Sequence, residues 1–106
     1  MIRVAIVEDE TLVRIGLKAC LEENPEVVVT DVYATAEEAE EGMESSIDIL
    51  MTDIRLPGKA GLDLMKDCRR KYPQMLFVVL SCYEDFSYAQ KAMEFGATRY
   101  LLKQEL

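Results

Sequence analysis

Five residues of this chain stand where an apolar run stops. Glu8 and Asp9 follow I-R-V-A-I-V, Asp53 follows I-L-M-T, Ser81 follows L-F-V-V-L, and Lys103 follows T-R-Y-L-L. A carboxylate closing a buried segment carries a desolvation cost unless something compensates it. Three carboxylates about 5 Å apart repel by roughly 3 kcal/mol per pair at an effective dielectric of about 20. Either one acid is protonated with a raised pKa, or a hard divalent cation sits among them, and carboxylates joined by a carbonyl and waters suit Mg²⁺. The cation reading fits better, because Lys103 alone cannot neutralise three charges. With Mg²⁺ holding the oxygens of a phosphorylated donor, Asp53 can attack phosphorus to give an aspartyl phosphate, and Ser81 and Lys103 can grip the new oxygens.

Each residue also has a plainer role open to it. Glu8 and Asp9 would favour a helix N-terminus through its dipole. Ser81 with Glu84 fits the S-x-x-E capping box, and Lys103 could be a solvated lysine with its stem packed at a strand end. Asp53 has no such excuse, since no capping box follows I-L-M-T-D. The chemical reading therefore rests on the convergence of all five.

Convergence needs elements that deliver it. Runs rich in β-branched residues at 2–7, 27–32, 48–52, 76–80 and 98–102 have strand length. Between them, helical spacing recurs in Leu12, Ile15, Leu17, Cys20 and Leu21, then Ala36, Ala39 and Met43, then Leu62, Met65 and Cys68, then Tyr88, Ala89, Ala92 and Phe95. Strict alternation predicts an α/β domain, a doubly wound five-stranded parallel sheet with helices on both faces. The runs at 4–7 and 76–80 read as inner strands, and 27–32, with Thr30 and Asp31, reads as an edge. Gly96 suits a C-cap, while Pro25 and Pro73 mark turns after the first and third helices. In such sheets ligands bind beyond the carboxyl ends of the strands, where these five residues arrive.

Composition narrows the classes. The 106 residues fit one domain, 1–106, without a linker or low-complexity tract. A formal net charge of -8 argues against a nucleic-acid surface. No apolar run approaches a membrane span, and no export signal opens the chain. Three cysteines without C-x-x-C spacing fit reduced packing residues in a cytoplasm. The absence of histidine removes an imidazole base and a phosphohistidine of the chain's own.

V-E-D-E after the first strand, D-I-R-L-P-G-K-A-G around Asp53, L-S-C-Y after the fourth strand and G-A-T-R-Y-L-L-K at the end appear in order over the whole chain. With these motifs the sequence resembles a receiver domain of a two-component response regulator. The resemblance implies a flavodoxin-like strand order 2-1-3-4-5, Asp53 as phosphoacceptor, and Mg²⁺ held by Glu8, Asp9, Asp53 and the backbone carbonyl of Arg55. It makes Ser81 the switch hydroxyl, Tyr100 the switch aromatic and Lys103 the active-site lysine. A histidine kinase would be the donor, and the domain would catalyse its own phosphorylation and dephosphorylation without being a conventional enzyme. Activation would reshape the face of the fourth helix and fifth strand, favour a homodimer and control an output domain outside this chain. The stretch 83–96 is similar to receivers joined to arabinose-regulator-type helix-turn-helix domains, a transcriptional, DNA-binding output.

Further expectations accompany the resemblance. Pro57 and Gly61 match the family's loop after the acceptor, explained by turn chemistry. Tyr83, Phe86, Tyr88 and Phe95 are expected to be mainly helix-packing residues. Gln104 follows Lys103 where many receivers have proline, so a trans peptide is expected there. The sequence ends before a fifth helix, predicting an uncovered sheet face. Three rivals remain: a receiver-like domain acting only by contact, an aspartyl phosphohydrolase, and a flavin module. The haloacid-dehalogenase pattern wants a second aspartate where Arg55 stands, and V-E-D-E-T would repel a flavin phosphate.

Overall fold

The computed structural model describes residues 1–82 and 86–103. Strands and helices alternate along them: β1 (Ile2–Val7), α1 (Thr11–Leu21), β2 (Val27–Tyr33), α2 (Ala36–Gly42), β3 (Ile49–Asp53), α3 (Gly61–Lys71), β4 (Leu76–Ser81), α4 (Phe86–Glu94) and β5 (Arg99–Leu102). The five strands form a sheet in the order β2-β1-β3-β4-β5, with every neighbouring pair parallel. This is the doubly wound architecture, and β2 is an edge as its Thr30 and Asp31 imply. A register shift between Val4 and Ala5 marks the β1–β2 pairing.

Alternation along each inner strand splits the core in two. Ala5, Val7, Leu50, Phe77 and Val79 face α2, α3 and α4, which contribute Ala36, Ala39, Leu64, Met65, Cys68, Ala89 and Ala92. Val4, Ile6, Met51 and Leu80 face the other way, onto Leu17 of α1 flanked by Val13 and Leu21. Each of the Val, Leu, Ile, Phe and Met side chains taken fully from water contributes about 1.5–3 kcal/mol. Three helices thus cover one face, and α1 is the helix on the other among the described residues.

The helices differ from expectation in which residues they bury. On α1 the stripe facing the sheet is Val13, Leu17 and Leu21, whereas Leu12 is 84% and Ile15 61% exposed, and Cys20 is exposed too. Leu12, Val13, Gly16, Leu17, Cys20 and Lys103 border a groove of about 340 Å³. Of the cysteines only Cys68 is buried; Cys82 is half-buried. On α4 the small Ala89 and Ala92 face the sheet, so the helix sits close to it and Phe86, Tyr88 and Phe95 are left substantially exposed. These aromatics, expected to be mainly helix-packing residues, are thus only partly covered, and Tyr83 lies outside the described residues. Phe86 instead meets Tyr100 edge-on at 6.1 Å, and the Lys66 ammonium stands over Phe95 at 4.2 Å.

Local signals account for the helix ends. Thr35 caps α2 by accepting from the Glu38 N–H at 3.1 Å, while Glu38 accepts from the Ala34 N–H at 3.0 Å, and Glu37 and Glu38 suit the helix dipole. Gly96 ends α4 with φ 104°, the left-handed turn that lets its N–H and that of Ala97 bond back to Met93 and Ala92. Its carbonyl accepts from Arg69, whose guanidinium also lies over the Phe77 ring. This turn launches β5 and so delivers Lys103. Replacing Gly96 with Ala is expected to lower stability by about 1–2 kcal/mol, seen as a lower urea midpoint with an unchanged m-value.

Candidate functional site

Parallel pairing aligns the carboxyl ends of β1, β3, β4 and β5 at one edge of the sheet. Glu8, just past β1, is wholly buried, and its N–H donates to the Tyr33 carbonyl of β2 at 3.0 Å. Asp53 is the last residue of β3 and is 3% exposed. Lys103, immediately after β5, bridges them: its Nζ donates to Asp53 Oδ2 at 2.7 Å and to Glu8 Oε1 at 3.1 Å. A third contact, to Glu10 Oε1 at 3.3 Å, reaches the exposed end of the β1–α1 turn.

One ammonium facing two buried carboxylates leaves excess negative charge. Burial first, and then the charge of Asp53, push the Glu8 carboxyl up to about 7, although the Glu10 N–H and Lys103 pull the other way. Burial likewise raises Asp53, opposed mainly by its bond to Lys103. Burial alone would lower Lys103, but its bonds to Asp53 and Glu8 hold it above its ordinary value. In the absence of a cation the pair therefore retains a proton well into the neutral range.

A hard cation is the other way to meet that charge, and the donor set fits one. Glu8 Oε2 is fully buried and has no hydrogen-bond partner among the described residues. Oxygens from Glu8, Asp9 and Glu10 all lie within 4.8 Å of one another, and oxygen-only donors of this kind suit Mg²⁺. Glu10 was not singled out from the sequence, although it is the last acid of V-E-D-E. Glu8 and Asp9, read from the sequence as favouring the helix dipole, precede the helix: α1 begins at Thr11, Glu10 is its N-cap without a side-chain capping bond, and no acid occupies the first turn.

The remaining candidates sit around this pair. The Arg55 N–H donates to Asp53 Oδ1 at 3.2 Å, which orients the carboxylate. Ser81 is buried at the end of β4, but its hydroxyl donates to the Cys82 carbonyl at 2.9 Å. The capping reading of Ser81 with Glu84 falls on a stretch outside the described residues. Tyr100 is half-buried against Phe86. The Lys103–Gln104 peptide also lies outside the described residues.

Gly61 requires a correction. Its φ is not positive, unlike Gly58 and Gly96, so unusual backbone angles are not why glycine stands there. A Cβ at Gly61 would overlap the carbonyl oxygen of Asp53. Its N–H donates to the Ile54 carbonyl at 2.9 Å, pulling the start of α3 against the end of β3. The loop between them is also tied outward, since Lys59 pairs with Glu40 of α2 and Asp67 of α3.

The fold and the edge cluster define an α/β domain with a lysine-bridged acidic pocket. The chain matches the response regulator receiver domain model over residues 4–105 and belongs to that family. It is similar to the transcriptional regulatory protein DegU of Brevibacillus brevis, 33% identical over 97% of this chain and 44% of that protein. Similarity to LiaR of Bacillus subtilis is also 33%, over 97% of this chain and 49% of LiaR. The chain thus spans less than half the length of these relatives. Among solved structures, the isolated receiver domain of RcsB from Salmonella enterica serovar Typhimurium superposes with a TM-score of 0.89 at 22% identity, covering 97% of this chain and 78% of that one. That likeness concerns the fold. A LuxR-family regulator from an Aurantimonas species gives a TM-score of 0.85 at 29% identity, over 95% and 73%.

The raised Glu8 carboxyl has a pH signature in metal-free protein. Its contribution to stability is fully present below about pH 4.5 and is lost as pH rises through about 7. The wild type should therefore lose up to about 3 kcal/mol relative to Glu8→Gln across that window, measured by urea unfolding in the presence of a chelator. A difference that stays flat with pH would contradict the assignment.

Proposed function

We propose that this domain is a phosphorylation-dependent signalling switch that accepts a phosphoryl group on Asp53 from a histidine kinase. The observation that carries the reading is the buried Asp53–Lys103 contact beside Glu8, whose second oxygen has no partner among the described residues. Glu8, Asp9, Asp53 and the Arg55 carbonyl would hold Mg²⁺, which supplies Lewis-acid polarisation of the donor's phosphoryl oxygens. An Asp53 oxygen attacks phosphorus, the bond from phosphorus to the imidazole nitrogen breaks, and the imidazole leaves. Lys103 is already placed on the acceptor carboxylate and would transfer its hydrogen bond to a phosphoryl oxygen.

The product adds about -1.5 to -2 charges and three acceptor oxygens to a site that starts with excess negative charge. In this reading the Ser81 hydroxyl leaves the Cys82 carbonyl for the phosphoryl group, the segment after β4 follows, and Tyr100 turns inward from Phe86. The face of α4 and β5 then changes shape, favouring a homodimer and a transcriptional output. The regulators among the relatives support that output in general terms. The likeness of 83–96 to receivers with arabinose-regulator-type domains suggests the DNA-binding branch.

Intact-mass analysis after incubation with acetyl phosphate and Mg²⁺ tests the chemistry. A single phosphoryl adduct is expected that requires Mg²⁺ and disappears in Asp53→Ala. A folded chain that gains no adduct would overturn the reading in favour of a domain acting by contact alone.

A further inference from the structure

The turn between β1 and α1 carries three successive acids, Glu8, Asp9 and Glu10, whose mutual repulsion favours an open, solvated loop. Its main chain is nevertheless held on two sides. The Glu8 N–H is fixed to the Tyr33 carbonyl of β2. From the opposite side Arg14, half-buried in α1, reaches back over the helix N-terminus. Its Nη1 donates to the Glu8 carbonyl at 2.7 Å and to the Asp9 carbonyl at 3.1 Å, while Nη2 donates to Thr11 Oγ1 at 3.1 Å.

The choice of partners is informative. A guanidinium beside three acids would ordinarily take a carboxylate, its strongest acceptor. Here the fork grips two main-chain carbonyls and a hydroxyl, which fixes the loop without Arg14 itself taking up a carboxylate oxygen. A guanidinium bound to the carboxylates themselves would compete with any cation for the same oxygens.

We propose that Arg14 is a positioning residue for the cation site, ordering the main chain of Glu8 and Asp9 before the cation arrives. This rests on the reading that these acids hold Mg²⁺. Arg14 touches neither cation nor phosphoryl group and acts through the loop. Lysine cannot replace it, because a single ammonium lacks the planar fork that reaches both carbonyls and Thr11 together. Groups that orient metal ligands commonly change affinity by about 10- to 100-fold; with Tyr33 still holding one side, about tenfold is expected here.

The test compares wild type, Arg14→Lys and Arg14→Ala, each first shown to be folded by its amide NMR spectrum. Mg²⁺ affinity is measured by calorimetry, and the rate of phosphorylation by acetyl phosphate is followed against Mg²⁺ concentration. Both variants should bind Mg²⁺ about tenfold more weakly and need correspondingly more Mg²⁺ for half-maximal rate. Their rates at saturating Mg²⁺ should stay within about twofold of wild type, the pattern of lost binding rather than lost chemistry. In metal-free protein, amide exchange at Asp9 and Glu10 should quicken in both. Arg14→Lys retains charge and helix propensity and carries the test if Arg14→Ala does not fold. Wild-type Mg²⁺ affinity in Arg14→Lys, or an unchanged affinity with a reduced saturating rate, would overturn the proposal. A wild type that binds no Mg²⁺ would instead overturn the cation reading, and this inference with it, so the two failures are distinguishable.

Discussion

Lys103 Nζ lies 2.7 Å from Asp53 Oδ2 and 3.1 Å from Glu8 Oε1, and the rest of the structure depends on holding these three groups together. Two adjacent buried carboxylates are a costly arrangement, and removing the Lys103 ammonium between them would strip a charged hydrogen-bond donor from both at once. The cluster joins residues 95 positions apart in the sequence. It can form only if β1, β3 and β5 present their carboxyl ends at the same edge, which the parallel order β2-β1-β3-β4-β5 ensures.

Several structural details follow from that requirement. Gly61 lets α3 start against the Asp53 carbonyl, and the Lys59 pairs with Glu40 and Asp67 tie the intervening loop to two helices. Gly96 turns the chain so that β5 returns beside β4 with Lys103 at its end. Arg14 and Tyr33 hold the acidic turn from opposite sides. The pocket is therefore ordered by its surroundings yet incompletely satisfied inside, the condition expected of a site that exchanges one set of charges for another. A proton on the Glu8–Asp53 pair, a cation, or a phosphoryl group with its cation would each relieve the imbalance differently.

Much of this was legible from residue types. Apolar runs ending at Glu8, Asp53, Ser81 and Lys103 located the strands to within a residue or two, and alternation supplied the layers. The details that escaped depend on three-dimensional packing. On α1 two adjacent rows spaced by four, Leu12–Gly16–Cys20 and Val13–Leu17–Leu21, look alike in sequence, and only the helix's seating on the sheet separates them. On α4 the side chains facing the core are two alanines, so the larger aromatics carried a misleading hydrophobic signal. Arg14 leaves no trace in the sequence pattern, because besides the Thr11 hydroxyl its partners are main-chain carbonyls that every residue possesses.

The most direct test of this electrostatic account is a carboxyl ¹³C NMR titration of Glu8 and Asp53, followed with and without Mg²⁺. Without the cation, Glu8 should titrate at about 7 and respond to the ionisation of Asp53; with Mg²⁺ present, its midpoint should move to lower pH as the cation displaces the proton. A Glu8 midpoint in the ordinary carboxylate range, or one indifferent to Mg²⁺, would contradict the account.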